Sequence, residues 1–265
     1  MKRYYLYLLS ALLLIAACAE EKQEAAEDTS STPEITLSPL TGSPAFADAT
    51  LSLTSATPAA DGNYDFAFEV QNYELGAQTE SNPVNSLANS GNGQHIHFIV
   101  DNSPYSAHYE SSFSTDKLSE PGNHVVLAFL SRSYHESVKN LAEGASSYVI
   151  EQYQVGDGDA EEVDLSAPHM FYSRPKGSYK GDEIKRLLLD FFLLNVDLSP
   201  DGNKVRATIN GTEFMIDKWQ PYVIEGLQPG EVIVKLELLD AEGNLIDSPF
   251  NPVERSVTLE AATEE

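Results

Sequence analysis

Histidine is the residue type whose placing in this chain could do chemistry. Five of its six copies, His95, His97, His108, His124 and His135, fall within 41 residues. His95 and His97 stand two apart in the run Gly93-Gln94-His95-Ile96-His97-Phe98-Ile99-Val100. Side chains alternate across a strand, so the two imidazoles share one face while Ile96, Phe98 and Val100 share the other. Paired imidazoles suit one Cu or Zn ion. His95 and His97 are therefore the candidate core ligands of an alternative metal site, completed by His124, His108 or His135. The favoured reading is that these histidines hydrogen-bond loop backbone and acids at one end of a sandwich.

Three other groupings bear on function. Arg174, Lys176, Lys180, Lys204 and Arg206 form a basic cluster that could take phosphate or an acidic peptide through charge-assisted hydrogen bonds. The run Asp157-Gly158-Asp159-Ala160-Glu161-Glu162-Val163-Asp164 is oxygen-rich but lacks the distal pattern of a calcium loop, and reads as an acidic linker. Trp219, beside Lys218 and near Tyr222, suits a core corner better than a sugar platform. No G-x-S-x-G, H-E-x-x-H, P-loop or dinucleotide-type turn occurs, so a non-catalytic role is expected.

The elements that must hold these residues read as strands. Alternating or β-branched runs cover 49–54, 64–70, 95–100, 124–130, 148–153, 187–195, 204–209, 231–239 and 255–259, cut by Gly, Pro, Asn and Asp. A weak internal repeat orders them. Asn72 and Asn195 each end a strand, the runs 93–101 and 202–210 correspond, and Pro121-Gly122 corresponds to Pro229-Gly230. In the second copy Val205, Ala207 and Ile209 point inward and Lys204, Arg206 and Thr208 outward, which predicts a solvated face for His95 and His97. By the same alignment His124 takes the inward face of Val232, away from His95. The expected fold is all-β: two tandem immunoglobulin-like β-sandwiches, at 34–160 and 165–260.

The N-terminus reads as an export signal. Lys2 and Arg3 precede an apolar run at 4–14, too short to span a bilayer. Ile15-Ala16-Ala17-Cys18 follows and resembles the bacterial lipobox, which implies cleavage after residue 17 and lipidation of Cys18. Cys18 is the only cysteine, so disulfides and thiolate ligands are excluded. Residues 18–33 read as an acidic flexible tether. The net charge of −25, or −27 once Lys2 and Arg3 leave with the signal, excludes nucleic acid and favours cations or basic partners. The expected partners are a membrane, through the lipid, and an unknown protein or peptide.

Segments 93–134 also resemble small exported β-sandwich domains with a G-x-H-x-H strand and a later P-G-x-H turn, some of which sit beside copper-handling proteins. The chain as a whole, through 93–105, 122–139 and 214–250, resembles a family of uncharacterised Bacteroidota lipoproteins with tandem β-sandwich domains, some of them labelled phosphopeptide-binding. Acidic residues close behind Cys18 resemble that group's surface-export signals. The resemblance implies a membrane-anchored binding or assembly lipoprotein of the outer membrane, up to its outer face.

Overall fold

Short alternating runs separated by turn residues form sixteen strands among the residues described by the computed structural model, which are 33–262 except 82, 84, 85, 140, 141 and 158–160. In the first half these are β1 (Thr36–Pro39), β2 (Thr50–Pro58), β3 (Tyr64–Gln71), β4 (His95–Val100), β5 (Ser106–His108), β6 (Ser112–Thr115), β7 (Gly122–Ser131) and β8 (Tyr148–Val155). The second half supplies β9 (His169–Arg174), β10 (Gly177–Lys180), β11 (Arg186–Leu194), β12 (Lys204–Ile209), β13 (Thr212–Ile216), β14 (Tyr222–Glu225), β15 (Gly230–Leu239) and β16 (Val253–Glu260). A 3-10 turn, Gly181–Lys185, leads into β11.

The expected all-β, two-sandwich fold is present. In the first sandwich, sheet β2-β3-β6 faces sheet β5-β4-β7-β8 across a core of Leu51, Phe66, Phe68, Ile96, Phe98, Val126 and Leu130. In the second, β1-β14-β11-β9 faces β10-β16-β15-β12-β13 across Tyr172, Leu189, Phe191, Val205, Ile209, Val234 and Leu236. The repeat is visible in backbone detail. Asn72 and Asn195 both take positive φ, 55° and 54°, and so do Asp101 and Asn210, at 49° and 46°. Asn and Asp tolerate that conformation better than other side-chain-bearing residues. Asp101 and Asn210 each bond with side chain and backbone N–H to the next long strand, at Val125 and Ile233.

Two features depart from the sequence reading. β1, placed by sequence with the first sandwich, pairs antiparallel with β14 of the second, Thr36 opposite Glu225 and Pro39 opposite Tyr222. The apolar reason is that Ile35 and Leu37 pack on the second core. Secondly, the outward face of β4 and β7 is not solvated. Ile99, Tyr105, Val125, Leu127 and Phe129 pack against Phe171, Phe192, Leu194 and Phe250, so the two sandwiches share a third apolar layer. β4, β9 and β11 are accordingly buried on both faces, as continuous apolar strands are. His95 and His97, expected in solvent, are fully buried.

Candidate metal centre

The seam between the sandwiches gathers three of the five histidines. His95 and His97 project from the outward face of β4 into it. In the β4–β7 ladder His95 stands opposite Ser131, the last residue of β7, so the turn after β7 lies at the His95 end. That turn is held by bonds from Arg132 N–H to Glu136 O and His135 N–H to Arg132 O, with His135 at φ 71°. It swings the third imidazole inward. His97 Nε2 lies 2.9 Å from His95 Nε2, and His135 Nδ1 lies 3.1 Å from the same atom. One nitrogen from each ring falls within 4.8 Å of the others. Two nitrogens on a tetrahedral ion with bonds near 2.0–2.1 Å stand about 3.3 Å apart, a few tenths wider than these separations.

Proton accounting shows which lone pairs face the point of convergence. His95 Nδ1–H donates to Gly93 O at 2.8 Å, which leaves Nε2 of the neutral ring bare. His97 Nδ1 is paired with Ser173 Oγ at 3.1 Å, a contact from β9 of the second sandwich. Orienting bonds on the far ring nitrogen are the usual outer shell of histidine ligands. The rings are also held neutral. Burial lowers the His95 pKa from 6.5 to about 4, and burial pushes His97 and His135 well down, helped by Arg174 and Lys176. Neutral imidazole is the ligating form. Around them, Tyr105 stacks on His97 with centroids 3.5 Å apart, Tyr109 lies 5.1 Å from His95, and Phe129 lies 5.2 Å from His97.

His108 and His124 do not join this group. His108 pairs opposite Ile96 and therefore takes the inner face of the sheet, where it stacks on Phe113 at 3.4 Å and its Nε2 bonds Ser106 Oγ. His124 lies on the Val126 side of β7 and is held by the Asp101 carboxylate and Glu120 O. His169 is buried elsewhere, between Ser248 Oγ and Asp164 O.

The basic cluster is dispersed among partners. Arg206 pairs with Glu237 at 2.8 Å and Lys180 with Glu260 at 2.9 Å, while Lys204 Nζ donates to Gly202 O. Arg174 is buried and donates to Tyr179 OH, and Lys176 Nζ donates to Tyr105 O at 2.7 Å. Arg174 and Lys176 therefore border the histidine site, whereas Lys204 and Arg206 belong to β12. Of the acidic run, Gly158, Asp159 and Ala160 lie outside the described residues. Glu161, Glu162 and Asp164 line a groove with His169 and Asp247. Trp219 is a corner residue: its Nε1–H donates to Phe191 O, and its ring meets Phe192 edge-on at 5.1 Å. Cys18 also lies outside the described residues.

No family model and no curated protein matches the chain. Solved structures similar to it include fibronectin-type and V-type modules. Fibronectin(III)-like modules of Clostridium thermocellum CbhA match at 14% identity over 36% of this chain and 100% of that one, with a TM-score of 0.28. The central fibronectin-III array of RIM-binding protein matches at 10% identity over 83% of this chain and 71% of that one, with a TM-score of 0.27. The two tandem V-type regions of VCBP3, a v-region-containing chitin binding protein, match at 8% identity over 86% and 99%, with a TM-score of 0.22. At these scores the likenesses carry no argument, and the architecture stands on the strand pairing.

Proposed function

We propose that this protein is an exported, lipid-anchored binding protein whose ligand is a first-row transition metal, copper or zinc, held by His95 Nε2, His97 Nε2 and His135 Nδ1. The observation that carries this reading is the convergence of three neutral ring nitrogens on one point of a buried seam. A relay of hydrogen bonds would also satisfy these atoms, with His97 Nε2–H donating to His95 Nε2 and Tyr105 O–H donating to His135 Nδ1, so the metal reading rests on the convergence alone.

The site favours holding a metal over turnover. Three histidines with an open fourth position are also a catalytic zinc pattern; the holding role is favoured here because His95 and His97 are fully buried. Export and lipidation at Cys18 rest on the sequence pattern of residues 1–18. No helix among the described residues is long and apolar enough to cross a membrane.

The test is metal analysis of the full chain, purified in detergent without chelator, beside a His95→Ala, His97→Ala double variant. The expected result is one equivalent of copper or zinc in the parent and none in the variant. Absence of metal from the parent, with no change in melting temperature on adding Cu or Zn, would sink the reading. Bound metal at 100 times its Kd stabilises by about 2.7 kcal/mol, well within reach of such a measurement.

A further inference from the structure

An ion pair lies inside the apolar seam. Along β11, Leu188 clusters with Leu87 and Tyr134, and Phe192 with Phe129, all of the first sandwich. Asp190 falls between these two on the same face and sets a carboxylate among them. Its partner also comes from the first sandwich: Lys139 Nζ, from the segment between β7 and β8, meets Asp190 Oδ1. The lysine side chain is 7% exposed and the aspartate 0%. Of the ion pairs among the described residues, only this one joins the two sandwiches. Taking both ions out of water carries a desolvation cost that their attraction need not recover. An uncharged link between the same side chains would escape it.

The contact is held from several sides. Ser137 Oγ–H donates to Asp190 Oδ1 at 3.0 Å, and the Ser137 backbone N–H donates to Oδ2 at 3.4 Å. Lys139 Nζ also donates to that serine oxygen and lies 5.7 Å from the centre of the Trp219 ring. Ser137 is fixed in turn by its bridge to Ser131 at the end of β7, and its carbonyl accepts from Arg132 Nη1 at 3.1 Å. Amine and carboxyl group are thus kept together by the fold. Placement of this kind is worth effective molarities of about 10⁵–10⁸ M. Burial also keeps away the water that would drive the reverse hydrolysis.

We propose that Lys139 and Asp190 form a covalent cross-link in the folded protein, an amide between Nζ and Cγ made once the seam has closed. A proton passes from the ammonium to the carboxylate across the contact, and the freed lone pair of Nζ attacks Cγ. The negative charge that builds on Oδ2 faces the Ser137 N–H. The Nζ–Cγ bond forms and the Cγ–Oδ1 bond breaks. Oδ1 leaves as water with two of the three ammonium protons, and the third stays on the amide nitrogen. No oxidant, reductant or cofactor takes part. The cross-link is independent of the metal reading, since none of its atoms is a ligand there.

The test is a tryptic digest of the full chain, purified in detergent, unfolded before digestion and read by tandem mass spectrometry beside Lys139→Arg. Trypsin cuts after a free lysine or arginine unless proline follows. A free Lys139 therefore gives peptides 133–139 and 140–176, while Asp190 lies in 187–204. The parent digest is expected to lack 133–139 and to carry 133–176 joined to 187–204, lighter by one water than the two peptides together. Fragment ions should place the bond at Lys139 and Asp190. Lys139→Arg keeps a cation opposite Asp190 but has no primary amine, and its digest should contain no joined species. Because the bond is read on the parent, the test survives a variant that fails to fold. Free 133–139 and unjoined 187–204 as the main products of the parent would overturn the proposal and leave a buried ion pair. A joined species that persists in Lys139→Arg, or whose fragments place the bond elsewhere, overturns it equally.

Discussion

Burial separates one histidine of this chain from the next. His108 shows how, away from the metal centre. Stacked on Phe113, it is held at about 4, first by burial and then by Lys117, against an ordinary value of 6.5. Between pH 6.5 and 4 the unfolded chain takes up a proton that the folded one refuses, so His108 makes stability fall as pH drops through that window. His108→Phe keeps the stacking and removes the proton. Its urea midpoint should therefore lose part of its dependence on pH between 6.5 and 4, and an unchanged slope would show that His108 protonates freely in the fold. Gly93 is a second residue with a defined task. At φ 86° it presents its carbonyl to His95, and an added Cβ would lie 2.3 Å from Gly76 O. Gly93→Ala should cost about 1–3 kcal/mol from the backbone conformation alone, more from the clash, and should weaken metal retention with it. The pair His95 and His97 was legible in the H-x-H spacing, and strand register gave a warning against His124, which nonetheless stayed among the candidates. His135 was one of three candidates, because selecting it depends on which end of β7 lies beside His95.

At the scale of elements, alternation located the long strands, and the repeat placed β4 against β12 and β7 against β15. Short strands such as β5, β6, β10 and β14, of three or four residues, escaped because a period of two cannot show itself over so few positions. β11 carries a further signal. The β11 sequence RLLLDFFLL hardly alternates, and such a run marks a strand covered on both sides. It pointed to the seam. Phe192 lies there, 4.9 Å from Phe129 of the first sandwich and 5.1 Å from Trp219 of the second. Phe192→Ala should destabilise by about 3–5 kcal/mol in urea unfolding. A cost below 1 kcal/mol would mean that the seam is loosely packed.

At the scale of the molecule, the seam makes one body of two repeats. Apart from its apolar layer, Asn102 reaches Met170 O, Phe250 O and Tyr172 N–H, and Lys139 pairs with the buried Asp190. The described body should therefore melt in one transition, with calorimetric and van't Hoff enthalpies equal. Two resolved heat-capacity peaks would show independent sandwiches. The division at 34–160 and 165–260 was drawn from the repeat and could not reveal β1, because four residues that pair with the far sandwich carry no mark of their partner. That crossing has a mechanical consequence. A pull on the chain ahead of Pro33 enters the body at β1, whose ladder to β14 is four residue pairs long. If the opposing load is held by the first sandwich, the second is tied to the line of force through this ladder alone, apart from the seam. β1 is then the first piece to give, and its loss would bare the β14 edge while the cores remain folded. Tension on the segment ahead of Pro33 would be reported as a newly open strand edge, a signal available to any partner that binds by adding a strand.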